Sequence, residues 1–369
     1  MRGIFIVGLI CVLVSLPHVD WLYATDLQRS DIQGRVVHAE TGEPLLGVHV
    51  FLSGTQMGAV TNSAGRYHLR NVSSGSYRLV VSSIGFARIS KTISVPPGRQ
   101  LTEDHELKPV IYELGEIYAG NLDERWERYV ERFTHLFIGE SSLSDSVKIL
   151  NPEVLRFERR WWGRFEAEAL APLQIENRAL GYRITYYLDE FIHTGTRTRW
   201  DGEPLFTEMT PENEEQARMW EQNREKAFYG SLRHFLISLM QNRTEDDGFV
   251  VFNLRRETYG YSIRNRFRTS PHRLLSESDE EHLKRMRFSG RLEILYTRRG
   301  EDPRYVQWAP DLFRAPNTMQ TSYFELNRRN ITIDNDGEVA EVYGATRFGY
   351  FAFHRLADKT PREYRPNDF

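Results

Sequence analysis

The chain is nearly without cysteine: of its 369 residues only Cys11 carries a thiol. A lone thiol closes no disulfide framework, and Cys11 sits in an N-terminal apolar run expected to be removed. The mature chain then has no cysteine nucleophile and no thiolate metal site. An excess of one charge is missing too, since 48 Lys and Arg face 51 Asp and Glu for a net charge of −3. Without a basic surplus no nucleic-acid partner is expected. After the first residues no apolar run reaches the length of a membrane-spanning helix, and there is no low-complexity tract or internal repeat.

The start, MRGIFIVGLICVLVSLPHVDWLYA, places Arg2 before apolar or small residues from Ile4 to Leu16 and a polar stretch ending at Ala24. This is the pattern of a secretory signal peptide over residues 1–24. Cleavage is expected after Ala24, although Leu22 stands where a small residue is preferred; an uncleaved anchor is the alternative. Ile10 occupies the place where a lipid-attachment motif wants Gly, Ala or Ser, so Cys11 is not expected to carry a lipid. Processing removes Arg2 and Asp20 and leaves 47 basic and 50 acidic side chains, so the balance is unchanged.

From residue 31 to 107 short alternating runs are separated by turn chemistry. Ile32–Val37, Val48–Leu52, Arg66–Leu69 and Tyr77–Val81 are the runs; Thr41-Gly42-Glu43-Pro44 and Ser73-Ser74-Gly75-Ser76 are turns. That rhythm predicts an all-β sandwich. Gly65 and Gly75 are placed in turns ahead of strands, and neither precedes a helix N-terminus where a phosphate would be held.

A linker over 108–120 leads to a different texture. Asn121 with Glu124 reads as a capping box, followed by Trp126, Tyr129, Val130, Phe133, Leu136 and Phe137 at helical spacing. Strands are expected at Phe165–Leu170, Leu173–Ile175 and Tyr182–Leu188. A helix is expected to open at Thr210-Pro211 and run to about Gln241, interrupted at Gly230-Ser231, with Leu232, Phe235, Leu236, Leu239 and Met240 as its core stripe. Strands return at Gly248–Phe252, Arg291–Tyr296 and Thr321–Leu326, and Ile331–Ile333 with Glu338–Ala340 reads as a hairpin. The charged stretch Ser276–Arg287 is expected as an exposed segment.

Catalytic patterns are missing. No HExxH, HxxEH or HxxE occurs among the eleven histidines, and there is no GxSxG, SxxK, GxxxxGK[ST] or GxGxxG. Asp334-Asn335-Asp336-Gly337 does not read as a calcium loop, because aligning Gly337 to the sixth position puts Thr332 first and Tyr343 twelfth. Paired carboxylates for glycoside hydrolysis depend on a three-dimensional separation and leave no mark in sequence.

The sandwich carries a resemblance. Ile32-x-Gly34-x-Val36, Thr41-Gly42-Glu43-Pro44-Leu45-x-Gly47-Val48-x-Val50, Thr61-Asn62-x-x-Gly65-x-Tyr67-x-Leu69, Gly75-x-Tyr77-x-Leu79-x-Val81 and Ile84-Gly85-Phe86 follow one another in order. Together they resemble the carboxypeptidase regulatory-like domain of Bacteroidota envelope proteins, with Asn62 where the family usually has Asp. The resemblance implies an Ig- or transthyretin-like sandwich of about seven strands, export, and no active site in this half. Family members stand beside metallocarboxypeptidase domains or ahead of TonB-dependent receptors. The second half, through Lys148–Leu155, Pro172–Tyr182 and Tyr229–Leu236, is similar to the C-terminal region of uncharacterised exported proteins with the same first module.

The expectation is therefore a non-enzymatic, exported cell-envelope protein, periplasmic or associated with the outer membrane or cell surface. An N-terminal sandwich over 31–107 precedes an α+β, β-rich domain over 121–369. It would bind or organise an envelope protein or a glycan through sandwich edges or loops, with no catalytic residue, metal or cofactor. The rivals are an accessory component of a TonB-dependent uptake system, and a hydrolase with carboxylate chemistry in the second domain, which requires a deep polar pocket with convergent acids. Candidate contact residues are Glu176 and Asn177, by default turn residues, and Trp161 and Trp162. In the adjacent pairs Trp161-Trp162 and Tyr186-Tyr187 one ring must face away from its own sheet's core, to meet a partner or to be covered by the second helix.

Overall fold

The computed structural model describes residues 29–110, 124–159, 163–257, 260–280, 282–309, 314–367 and 369. The expected signal peptide, most of the linker, the Asn121 cap, Trp161 and Trp162 lie outside the described residues.

The alternating runs become β1 (Ser30–His38), β2 (His49–Leu52), β3 (Gly58–Val60), β4 (Arg66–Val72), β5 (Gly75–Ser82), β6 (Ile89–Val95), β7 (Gln100–Thr102) and β8 (His105–Leu107). One sheet pairs β4 with β1 antiparallel, and β7 and β8 run parallel along the other edge of β1. The other sheet has the order β3-β2-β5-β6. Ile32, Val36, Val50, Leu69, Leu79 and Val81 fill the space between them, as period-two side chains must when one face of each sheet is dry. Because β7 and β8 share one edge, the sandwich has seven strands when they are taken as one strand broken at Glu103-Asp104. Gly34 explains the break: the Glu103 carbonyl arches over it, and an added Cβ would overlap that oxygen. Gly34→Ala is expected to cost about 1–3 kcal/mol in urea denaturation; an unchanged midpoint would mean that the arch moves freely.

The second half begins with α1 (Glu124–Ile138), whose Phe133 and Phe137 pack on a sheet of β9 (Val147–Ile149), β10 (Leu155–Arg159), β11 (Phe165–Ala169), β12 (Leu173–Asn177), β13 (Tyr182–Thr194) and β14 (Arg197–Glu208). The central strand β13 pairs on one side with β12 and β11 and on the other along its length with β14. Next come α2 (Glu214–Phe228) and α3 (Leu232–Met240). The cap of α2 is Asn213, whose Oδ1 accepts from the Gln216 N–H at 2.9 Å, so the helix starts three residues beyond the expected Thr210-Pro211 opening. The interruption at Gly230-Ser231 is present, with Ser231 capping α3.

The stripe of α3 lies on a second sheet, ordered β16-β15-β19-β20-β22. Its strands are β15 (Phe249–Glu257), β16 (Gly260–Arg268), β19 (Arg291–Tyr296), β20 (Gln320–Leu326) and β22 (Ala345–Gly349). Between them a small sheet joins β17 (Leu275–Glu277), β18 (Leu283–Met286) and β21 (Ile331–Asp334). Short helices α4 (Pro303–Trp308) and α5 (Tyr350–Phe353) complete the chain. The segment expected as exposed, Ser276–Arg287, instead contributes β17 and β18, with Leu283 and Met286 buried. Two apolar anchors among charges hold it, because β18 pairs with β21 and sets Met286 opposite Ile331.

The sandwich is docked on the second half through its β3-β2-β5-β6 sheet. Phe51 and Val80 alternate away from the sandwich core yet are fully buried, because Phe51 stacks on Tyr187 with ring centroids 5.3 Å apart. Tyr187, expected to face a partner or the second helix, is thus covered by the sandwich, and Tyr186 points the other way onto Phe137 of α1. The turn after β2 lies against the free edge of β14: Gly54 N–H donates to the Pro204 carbonyl at 2.7 Å and Phe206 N–H to the Thr55 carbonyl at 2.9 Å. Part of the sandwich surface expected to meet other molecules is therefore occupied within the chain.

Candidate functional site

Where the docked sandwich meets the two sheets of the second half, a cavity of about 410 Å³ remains. Its walls come from the start of β5, the middle of β14, the first turn of α3, the hairpin after β21 and the C-terminal segment from His354 to Arg362. A volume of this size suits a small-molecule ligand.

The C-terminal segment is held in place by two arginines. Arg233 of α3 donates from Nε to the Asp336 carbonyl at 3.0 Å and from Nη1 to the Pro361 carbonyl at 3.1 Å, and it also bonds the Tyr364 carbonyl at 3.0 Å. Arg362 donates to the Ser76 carbonyl of β5 at 2.8 Å, pairs with Asp334 and Asp336, and lies 3.9 Å over the Tyr77 ring. Burial opposes its charge, and Asp334, Tyr77 and Asp336 outweigh that, so the guanidinium is held more firmly protonated than usual. Burial also pushes the Asp334 carboxyl up, to about 6. Its oxygens nevertheless accept from the Asp336 and Glu338 N–H groups, both at 3.0 Å, and from Ser76 N–H at 3.3 Å. Acceptance from so many donors fits the ionised carboxylate. Gly75, expected as a turn residue, opens β5 beside this pair: an added Cβ would stand 3.1 Å from the Asp334 carboxylate.

Four polar groups on the cavity wall have no such partner. Among the described residues none forms a hydrogen bond or contact ion pair with the side chains of Tyr186, Glu338, Arg347 and Lys359. Tyr186 is only 4% exposed. It lies over Gly202, where an added Cβ would meet its ring at Cε1. Arg347 lines the cavity and keeps exposed surface. Burial lowers the pKa of Arg347 against the pull of Glu338, and burial likewise lowers that of Lys359. Arg355 is pushed down to about 10, first by burial and then by Arg347. Glu338 moves below the usual carboxylate range: burial opposes ionisation, but Lys359, Arg362, Arg233 and Arg347 together outweigh it.

The other acids of the wall are engaged. Asp201 pairs with Arg78 at 2.8 Å. Glu341 accepts from the Thr332 N–H at 2.8 Å and its hydroxyl at 2.9 Å. Asp358 accepts from the Arg355 N–H at 3.3 Å. Among the described residues no three His, Cys, Asp or Glu side chains gather as a metal site requires.

The candidate residues from sequence lie elsewhere. Asn177, fully buried at the end of β12, accepts from Leu180 N–H at 3.0 Å and donates to the Ala357 carbonyl at 3.0 Å, so it clasps the tight turn to the C-terminal segment. Glu176 sits beside it with Arg178 and Arg183, and its hydrogen bond to Arg178 holds its pKa down. Neither lines the cavity. The residues that do were passed over in sequence, except Tyr186; the one signal was the density of Arg355, Lys359, Arg362 and Arg365 in a short polar tail.

No curated protein matches the chain. Among solved structures it is similar to a cohesin–X-dockerin complex of Acetivibrio cellulolyticus, with 21% identity over 31% of this chain and 76% of that one at a TM-score of 0.21. It is similar to the minor pilin of Streptococcus agalactiae, with 18% identity over 23% and 45% at 0.20. A Bacteroides uniformis protein described as carbohydrate binding gives 10% identity over 49% and 80% at 0.20. Scores this low leave the roles of those proteins with those proteins. Among the described residues no helix is long and apolar enough to cross a membrane, which says nothing of strands. Residues 32–118 match the family model of the CarboxypepD_reg-like domain, and the N-terminal sandwich of this chain is such a domain.

Proposed function

We propose that the protein is an exported, non-enzymatic binding protein of the cell envelope whose ligand sits in the cavity between the sandwich and the second half. The observation that carries this reading is the set of unpartnered polar groups lining that cavity, Tyr186, Glu338, Arg347 and Lys359, beside the buried and equally unpartnered His354 Nδ1. A buried polar group is ordinarily satisfied, so Tyr186, buried without a partner, marks a place where something else supplies one, and Glu338, Arg347 and Lys359 add charged groups with surface left open beside it. The hydrolase reading needs two free convergent carboxylates with separated proton affinities. Here Asp201, Glu341 and Asp358 are engaged, and Glu338 is kept ionised by the surrounding cations.

The test is thermal unfolding of the mature protein with neutral and acidic mono- and disaccharides, amino acids and short peptides, with product analysis of each mixture. One class is expected to stabilise the protein, by about 2.7 kcal/mol at a hundredfold excess over its dissociation constant, and to be recovered unchanged. Turnover of a compound by the wild type but not by Glu338→Gln would overturn the non-enzymatic reading.

A further inference from the structure

The charge of the cavity wall narrows the ligand. Arg233 spends its hydrogen bonds on neutral acceptors, chiefly carbonyls, and Arg355 donates to the Leu136 carbonyl, so neither contacts a carboxylate. Arg347 and Lys359 add two further cations. Against these four stand Glu338, which has no partner, and Glu341 and Asp358, which are bonded to neutral donors, so a surplus of one positive charge remains in a half-open cavity whose protein walls weaken the screening by solvent. A cavity of about 410 Å³ is far larger than an inorganic anion needs. The ionised Glu338 oxygens accept hydrogen bonds, and Tyr186 can both donate and accept. An ammonium donor to Glu338 would meet the same ring of cations, whereas a hydroxyl brings a donor without charge.

Resting on the binding role proposed above, we infer that this cavity takes a polyhydroxylated acid of roughly one or two sugar units, its oxyanion seated between Arg347 and Lys359 and its hydroxyls on Glu338 and Tyr186. Arg347 supplies the planar pair of donors that matches a carboxylate or phosphate, and Lys359 a movable point charge. A carboxylate and a phosphate ester share this chemistry, and direct comparison separates them.

Titration calorimetry of the mature full-length protein with glucuronate, galacturonate, glucose 6-phosphate, glucose, galactose, glutamate and inorganic phosphate tests the inference. An acidic sugar is expected to bind at least tenfold more tightly than its neutral counterpart and than glutamate or phosphate, and the tighter of uronate and sugar phosphate names the oxyanion. Arg347→Gln and Lys359→Met are each expected to weaken it ten- to a hundredfold. Since burial opposes each of these charges more than Glu338 favours it, the melting temperature of the unliganded variant should stay level or rise, so weakened binding is not misread as misfolding. Neutral sugars binding as tightly as acidic ones, or binding indifferent to both substitutions, would overturn the acidic class and leave the binding role standing. If every probe leaves calorimetry and melting temperature unchanged, both fall.

Discussion

Arg362→Ala is expected to destabilise the protein by about 3–5 kcal/mol and to uncouple the sandwich from the second half. The side chain is buried among Asp334, Asp336, the Ser76 carbonyl and the face of Tyr77. Removing it leaves Asp334, 1% exposed, as an uncompensated charge. It also takes away the group that ties β5 of the sandwich to the hairpin after β21 and to the C-terminal segment. Urea denaturation should change from one transition to two, with the sandwich melting separately. The double substitution Arg362→Met with Asp334→Asn should regain part of the loss, because it removes the buried charge while the amide oxygen still accepts from the Asp336 and Glu338 N–H groups. Equal losses in the single and double variants would show that the pair does not carry the junction.

Acid should weaken the protein through His234. Its ring is 1% exposed, and centroids of Phe249, Phe369, Tyr229 and Phe228 lie between 4.8 and 5.2 Å away. Nδ1 accepts from the Gly230 N–H at 3.1 Å, so the imidazole is held neutral in that tautomer. Burial is the main cause that pushes its pKa down to about 3; Asp247 opposes the shift, and Arg298, Arg243 and Arg299 add to it. In the unfolded chain the same group takes a proton near pH 6.5. The stability from the neutral ring is therefore fully present above about pH 6.5 and is lost as pH falls toward 3, at about 1.4 kcal/mol per unit. His234→Gln keeps an acceptor for Gly230 and does not titrate. Its stability should fall less steeply across that window, and parallel slopes for the two proteins in a pH series of urea melts would refute the assignment.

How far these features could be read in advance follows from the range of the forces involved. The sandwich was legible because alternation, Gly65 in its left-handed turn and the run of turn residues act over a few neighbours. The cap of α3 at Ser231 was legible for the same reason. The start of α2 was misplaced because Thr210-Pro211 and Asn213 are both fair openings, and the side-chain acceptor of Asn213 wins. Strands β17 and β18 were hidden by their charges: two apolar residues sufficed once β21 lay alongside.

Sequence by itself determined that the single thiol, Cys11, closes no disulfide within the chain, that its first part is a β-sandwich of the CarboxypepD_reg-like kind, and that helices and strands alternate irregularly after it. Tertiary structure alone decided the candidate site. Tyr186, Glu338, Arg347 and Lys359 belong to a strand, a hairpin, another sheet and the tail, and nothing in the sequence around any one of them points to the other three. They face one another because Phe51 and Val80 bury the outer sandwich sheet against the second half and Arg362 locks the tail across the seam. Docking of preformed surfaces sums interactions across the whole chain, so no local run of residues records where the cavity will be left.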